Sequence, residues 1–369
     1  MNYKNKLIKL PQNRVWRTYL GGRVLDELIG KGDPRDGHFP EDWIGSVTAA
    51  RNPNSQGKNE GISKVQIGGQ ELLFTDLIAL DPDYFLGTDH VARFGQQPMV
   101  LVKLLDSAVR LHFQVHPTAE FARAYLNSNS GKAEAYYILN VREGVEDAYV
   151  YLGFQRPPNR QELRRCIEEQ DIVTMKSFFD KIKVKPGDTL FIPGGIPHAI
   201  GGGIFMVEIM EPSDLVFRFE FERAGYTLPD SARFMNRSLD FCLDVCDFDP
   251  KPESIVRGEY MFEPELEVTY GKTAHRYLLI GAETTPCYQI KKSVIKGVVE
   301  REESTFFMGV ITAGFCVLKT DEIAIEFETF DKFFCPAGLG IYTIEADEEV
   351  QILECFPPAK DMAEGYVID

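Results

Sequence analysis

The sequence predicts a mainly β protein of two sandwich- or barrel-like domains, with a small helical insertion in the first. Three observations predict it. Short strand-like runs bounded by Gly and Pro recur along most of the chain, the texture of sandwiches and barrels. Helical periodicity is confined to a few segments. Past residue 250 the helical segments stop, and the chain reads as strand to its end. A length of 369 residues, 44% of them apolar, suits two domains that each bury a core.

Taken in order, the strand candidates of the first part are 98–105, 111–116, 134–140, 188–193, 203–210 and 215–222. Three helical segments interrupt them. "TAEFARAYL" follows Pro117 and stops at the polar stretch "NSNSG". "NRQELRRCIEEQ" opens with Asn159 and has Glu162 three residues on, the spacing of a capping box. "LPDSARFMNRSLDFCLDVC" carries Phe234, Leu239 and Leu243 at helical spacing. The helical insertion is thus expected at about 159–182 and 227–246. "DFDPKPES" is a Pro- and charge-rich joint, which divides the chain into domains 1–250 and 251–369. Beyond it come "YLLIGAE", "CYQIKKSVI", "FFMGVITAGFCVLK", "EIAIEF" and "QILEC".

Net charge and cysteine usage narrow the function classes. A formal charge of −16 repels nucleic acid and anionic membranes, so neither is an expected partner. An anionic small substrate would need a pocket with its own positive charge. No apolar run reaches the roughly 20 residues that span a bilayer, and "MNYKNKLIKLPQNR" has no signal-peptide core. Seven cysteines without paired spacing read as reduced thiols, so the expected compartment is the cytoplasm.

Two stretches carry the chemistry. In "LHFQVHPTAE" successive strand side chains alternate faces, so Leu111, Phe113 and Val115 line one side and His112, Gln114 and His116 the other. In "PGDTLFIPGGIPHAIGGG" the spacing is G-x5-P-x-G-x2-H, ending at His198. That spacing is similar to the second motif of cupin barrels, whose histidine reaches inward to a metal. The first cupin motif, a strand H-x-H followed by Glu, is matched here by Gln114, His116 and a late Glu134 in "GKAEAYYIL". Gln114, His116, Glu134 and His198 are therefore the candidate ligands. Two imidazoles, a carboxylate and an amide oxygen suit a borderline divalent ion such as zinc.

With "LVKLLD", "QVHP", "GKAE" and "YYIL", "PGDTLFIPGGIPHAIG" and "EIMEPSDLVFR" in this order, the sequence resembles the type I, zinc-dependent mannose-6-phosphate (phosphomannose) isomerases. The matches run over roughly residues 95–225, with "EDWIGS" at 41–46 as a weaker one upstream. The resemblance implies two cupin-type (jelly-roll) β-barrels with a small α-helical insertion. It also implies one Zn2+ per chain, in the N-terminal barrel, held by the four candidate ligands, and a sugar-phosphate substrate. It assigns catalysis to Arg218. The family's usual serine, a proposed phosphate contact, is here His112, which shares the cavity face and is expected either to donate to phosphate, especially when protonated, or to narrow the site.

The remaining candidates come from their surroundings. "LVFRFEFER" places Arg218, Glu220 and Glu222 on one face, where Arg218 is either a cavity residue or half of an ion pair. Glu208 is a lone carboxylate in an apolar strand, either a catalytic base or an ion-pair partner of Arg218 or Lys132. Lys132, two residues before Glu134, is placed to reach a sugar oxygen or the phosphate. Lys103 lies in an apolar run and joins the substrate-binding candidates. "FFCPAGLGIYTIEAD" resembles a worn P-x-G motif without its histidine, so the C-terminal barrel is expected to hold no metal. Two rivals stand beside the isomerase. An isomerase of another sugar or sugar phosphate is motivated by His112, and the second rival is a sugar-binding cupin without turnover.

Overall fold

In the computed structural model, which describes residues 3–53, 57 and 59–359, antiparallel sheets dominate. The N-terminal part stacks two of them. A seven-stranded sheet runs in the spatial order Met261–Phe262, Thr189–Ile192, Glu134–Val141, Ile204–Met210, Leu101–Asp106, Glu41–Ile44, Arg14–Val15. A five-stranded sheet runs Ile182–Lys183, Tyr149–Leu152, His198–Ile200, Gln114–Val115, Phe217–Arg218. The C-terminal part is built on a nine-stranded sheet.

The seven-stranded sheet is buried on both faces, which is why its strands read as continuous apolar runs. Leu101–Asp106 and Ile204–Met210 are buried at every position. Val102, Leu104, Val207 and Ile209 face outward into a core shared with Phe306, Met308 and Phe334 of the C-terminal part. Leu105, Tyr136, Ile138 and Met206 face inward. This shared core carries the short helices Phe74–Leu80, Pro82–Leu86 and Thr88–Phe94, which the sequence reading does not anticipate.

The five-stranded sheet shows the alternation expected for 111–116. Its ladder takes in only Gln114–Val115, but Leu111 N–H donates to the Ile200 carbonyl and Phe219 N–H to the Phe113 carbonyl, so the stretch is extended throughout. The outward row, Phe113, Val115, Ala199 and Phe217, packs on the helical insertion through Leu163, Ile167, Met175 and Leu243. That insertion comprises Arg160–Glu169, Ile172–Ser177, Asp230–Arg233 and Leu239–Val245. Asn159 caps the first of these helices by accepting from Glu162 N–H at 2.9 Å. Burying each large apolar side chain of the outward row is worth about 1.5–3 kcal/mol, which lets the opposite face stay polar.

Two exchanges cross the joint expected at residue 250. Met261–Phe262 lies past it yet pairs with Thr189–Leu190 of the seven-stranded sheet. Ile8–Lys9, near the start of the chain, pairs with Phe333–Phe334 of the nine-stranded sheet. The seven cysteines are all free thiols, six of them buried. No helix among the described residues is long and apolar enough to cross a membrane.

Candidate active site

Sheet register builds the site. In the five-stranded sheet Gln114 stands directly opposite His198 on one side and Arg218 on the other. Directly opposed residues share a face, so these three side chains form a row pointing into the space between the sheets. In the seven-stranded sheet the matching inward row is Tyr136, Glu208, Lys103 and Trp43. Glu134 begins its strand opposite Met210 and reaches across to the histidines.

His116, Glu134 and His198 converge, with one ligand atom of each lying within 4.8 Å of the others, all buried. Both imidazoles are oriented by backbone carbonyls. His116 Nδ1 contacts the Leu215 carbonyl and His198 Nδ1 the Ile196 carbonyl, each at 2.8 Å. A carbonyl only accepts, so Nδ1 carries the proton and the Nε2 lone pairs face the centre. Burial, aided by the Lys132 ammonium, pushes His116 down to about 3, which keeps it neutral. Burial opposes ionisation of Glu134, but Lys132 and His116 hold its carboxyl well below the usual range. Tyr136 O–H donates to Glu134 Oε2 at 2.6 Å, while the buried Oε1 faces the Lys132 ammonium at 3.0 Å and His116 Nε2 at 3.1 Å. Two imidazole Nε2 atoms and a carboxylate oxygen converging on one point fit a divalent cation. Gln114 completes the cluster, its amide 3.3 Å from His198 Nε2 and 3.5 Å from His116 Nε2. A half-turn of that amide presents its oxygen instead.

The other candidates gather around the same cavity, which Lys103, His112, Gln114, Lys132, Glu208 and Arg218 line together. Lys132 Nζ lies 3.0 Å from Glu134 Oε1 and 3.3 Å from His116 Nε2, so it belongs to the ligand cluster. Glu208 pairs with Lys103 at 2.8 Å, rather than with the Arg218 or Lys132 expected. Burial raises the Glu208 pKa against the pull of Lys103. Burial works against the charge on Lys103 too, but Glu208 and Glu41 together hold it firmly protonated. Arg218 is no surface residue; it is buried, and its guanidinium donates to the Ala232 carbonyl at 2.8 Å. Burial and the Arg17 charge lower it to about 10, which still leaves it charged near neutral pH. Glu220, its neighbour on that face, is taken by Arg110 at 2.8 Å.

The expectation for His112 needs correcting. It does face the cavity, but it is buried, and burial with the adjacent Arg218 charge pushes it down to about 3. Its Nδ1 is spent on the Glu220 carbonyl at 2.9 Å. A neutral ring held this way is not the protonated phosphate donor the strand face suggests.

Sequence reasoning missed three members of the site. Arg17 grips Asp214 with two hydrogen bonds of 2.9 Å and also meets Glu41 at 3.2 Å. Glu41 in turn accepts from Trp43 Nε1 at 2.7 Å and lies 3.4 Å from Lys103. The "EDWIGS" match contained Glu41 and "EIMEPSDLVFR" contained Asp214, so both stood in view. Arg17 carries no local signal; its partner is 197 residues away.

No protein-family profile matches the chain. Individual relatives do. The mannose-6-phosphate isomerase of Streptococcus mutans is 32% identical over 231 residues, 62% of this chain and 66% of the relative. A mannose-6-phosphate isomerase of Bacillus subtilis (strain 168) is 25% identical over 257 residues, 69% of this chain and 74% of the relative. The chain belongs to the mannose-6-phosphate isomerase family, of cupin type. Solved structures agree on the fold. A mannose 6-phosphate isomerase from Bacillus subtilis superposes with a TM-score of 0.72 at 20% identity, covering 94% of this chain and 99% of that one. A phosphomannose isomerase from Salmonella typhimurium gives 0.66 at 16% identity, covering 96% and 100%. The mainly β, cupin-like architecture of these structures is therefore that of this chain.

Proposed function

We propose that the protein interconverts mannose 6-phosphate and fructose 6-phosphate as a zinc-dependent aldose–ketose isomerase. The observation that carries the reading is the buried convergence of His116, Glu134 and His198, with Gln114 and Arg218 in register beside them. The names of the relatives support the same substrate pair. His116, Glu134, His198 and Gln114 would hold one zinc per chain, in the N-terminal barrel. Zinc so held supplies Lewis acidity and a fixed point for substrate oxygens.

The reaction moves a proton between C2 and C1 through an enediolate. Arg218, permanently charged, offers N–H donors to the oxygen on which negative charge grows. Glu208, a buried carboxyl with a raised pKa on the cavity wall, is the group we assign to carry the proton. Lys103 holds Glu208 in place and balances it against Glu41. Lys132 stands by the ligand cluster, where its ammonium can meet a sugar oxygen.

A coupled assay on mannose 6-phosphate, with zinc-loaded and chelator-treated protein, tests the reading. Turnover that chelation abolishes and zinc restores is expected. Turnover of some other sugar in preference would favour the rival isomerase, and binding without turnover would favour a sugar-binding cupin.

A further inference from the structure

The cavity between the sheets has only about 20 Å³ of free space, room for a single water. A second pocket of about 260 Å³ opens beside it and shares Val216 and Arg218 with it. A hexose phosphate with C1 and C2 at Arg218 must leave its far end in this outer pocket. The pocket wall carries Arg51, Ser231 and Asn236 besides Arg218.

The charges there are unusual for a chain of net −16. Asp214 is the pocket's one carboxylate, and it is already satisfied by two Arg17 bonds of 2.9 Å and by Arg51 N–H at 2.8 Å. Neither the Arg51 nor the Arg218 guanidinium has an ion-pair partner among the described residues. Asn52, on the same wall, has its amide committed to Glu60 at 3.0 Å. The rim holds two consecutive left-handed residues, Met235 at φ 56° and Asn236 at φ 60°. Asparagine tolerates that conformation; methionine is strained in it, and such strain collects where a surface is shaped for a ligand.

We propose that this outer pocket is the seat of the substrate's phosphate, with Arg51 as the residue that selects a phosphorylated sugar. The proposal rests on the isomerase reading. The Arg51 guanidinium, with no ion-pair partner among the described residues and with the Ser231 hydroxyl and the Asn236 amide on the same pocket wall, matches a phosphate dianion in charge and donor type, while Arg218 stays with the C1–C2 end. The assignment moves the phosphate contact from His112 to a loop that lines the outer pocket.

The test compares wild type and Arg51→Met, both zinc-loaded, on mannose 6-phosphate, and titrates each with inorganic phosphate. Arg51 is exposed, so the variant should fold; melting temperature checks this. Losing a charge-assisted contact should raise KM about 10–100-fold with kcat changing far less, and weaken inorganic phosphate by a similar factor. Arg51→Lys should recover part of both. Unchanged KM and unchanged phosphate binding in Arg51→Met would overturn the proposal. If wild type shows no turnover, the isomerase reading fails, while the phosphate titration still decides the subsite: equal binding by both proteins overturns it.

Discussion

Arg218 is a buried cation whose one strong contact is a backbone carbonyl, and that combination says how its removal should behave. Among the described residues no carboxylate forms an ion pair with it, so truncation breaks no buried salt bridge. Arg218→Ala should keep its fold and its metal and lose about 10²–10³ in kcat, the loss typical of a positioned donor at a growing oxyanion. Arg218→Lys should regain only part, since a point charge replaces a planar fork. Measuring kcat alongside metal content and melting temperature separates the outcomes. Near-normal kcat, or a loss fully explained by lost metal, would make Arg218 a packing residue. At this scale the sequence was informative wherever strand alternation decided the face: His112, Gln114 and His116 do share one side. It was uninformative about protonation. Whether His112 is a cation depends on burial and on Arg218, which lies on a neighbouring strand a hundred residues later.

Among the elements, the turn Pro193–His198 sets the spacing of the ligands. Gly195 N–H donates to the His116 carbonyl at 2.7 Å, which ties the turn to the end of the Gln114–Val115 strand. Gly194 lies so close to that strand end that an added Cβ would stand 2.7 Å from the Pro117 carbonyl oxygen and the Thr118 Cα. Both are backbone atoms and cannot swing aside. Gly194→Ala should therefore push the two histidines apart, and metal affinity should fall about 10-fold or more while circular dichroism stays native. Isothermal titration with zinc would show it; unchanged affinity would mean that the turn has slack. The turn was legible because its Gly and Pro positions have fixed backbone demands. The helices between residues 74 and 94 were not. Asp81–Pro82, Gly87 and Gly95 chop them into pieces of five to seven residues, too short for a 3.6-residue period to stand out. Tertiary burial of Phe74, Phe85 and Leu86, all without solvent exposure, forms them instead.

The two halves of the molecule are joined by one shared core, by the exchange of Ile8–Lys9 and Met261–Phe262, and by a buried ion pair of Lys332 with Asp42. His90 sits in this joint, its ring against Phe94 and Phe306, with Nε2 2.7 Å from the Gln97 carbonyl. Burial lowers its pKa to about 4, below the ordinary 6.5. The unfolded chain then binds the proton first as pH falls, so this histidine's stabilisation is complete above 6.5 and is lost between 6.5 and 4. Urea unfolding of His90→Gln across that range should give a slope about one proton shallower than wild type, about 1.4 kcal/mol per pH unit; an identical slope would show that His90 titrates normally. None of this joint could be read from the joint sequence "DFDPKPES", because the exchanged strands pair across more than seventy residues in one case and more than three hundred in the other. The central claim, a metal-dependent isomerase with a single site in the N-terminal barrel, is tested most directly by adding zinc stepwise to metal-free protein while following turnover of mannose 6-phosphate. The account predicts activity that rises linearly and breaks at one equivalent per chain, with no such rise for His198→Ala. A break at two equivalents, turnover without metal, or the same titration curve from His198→Ala would contradict it.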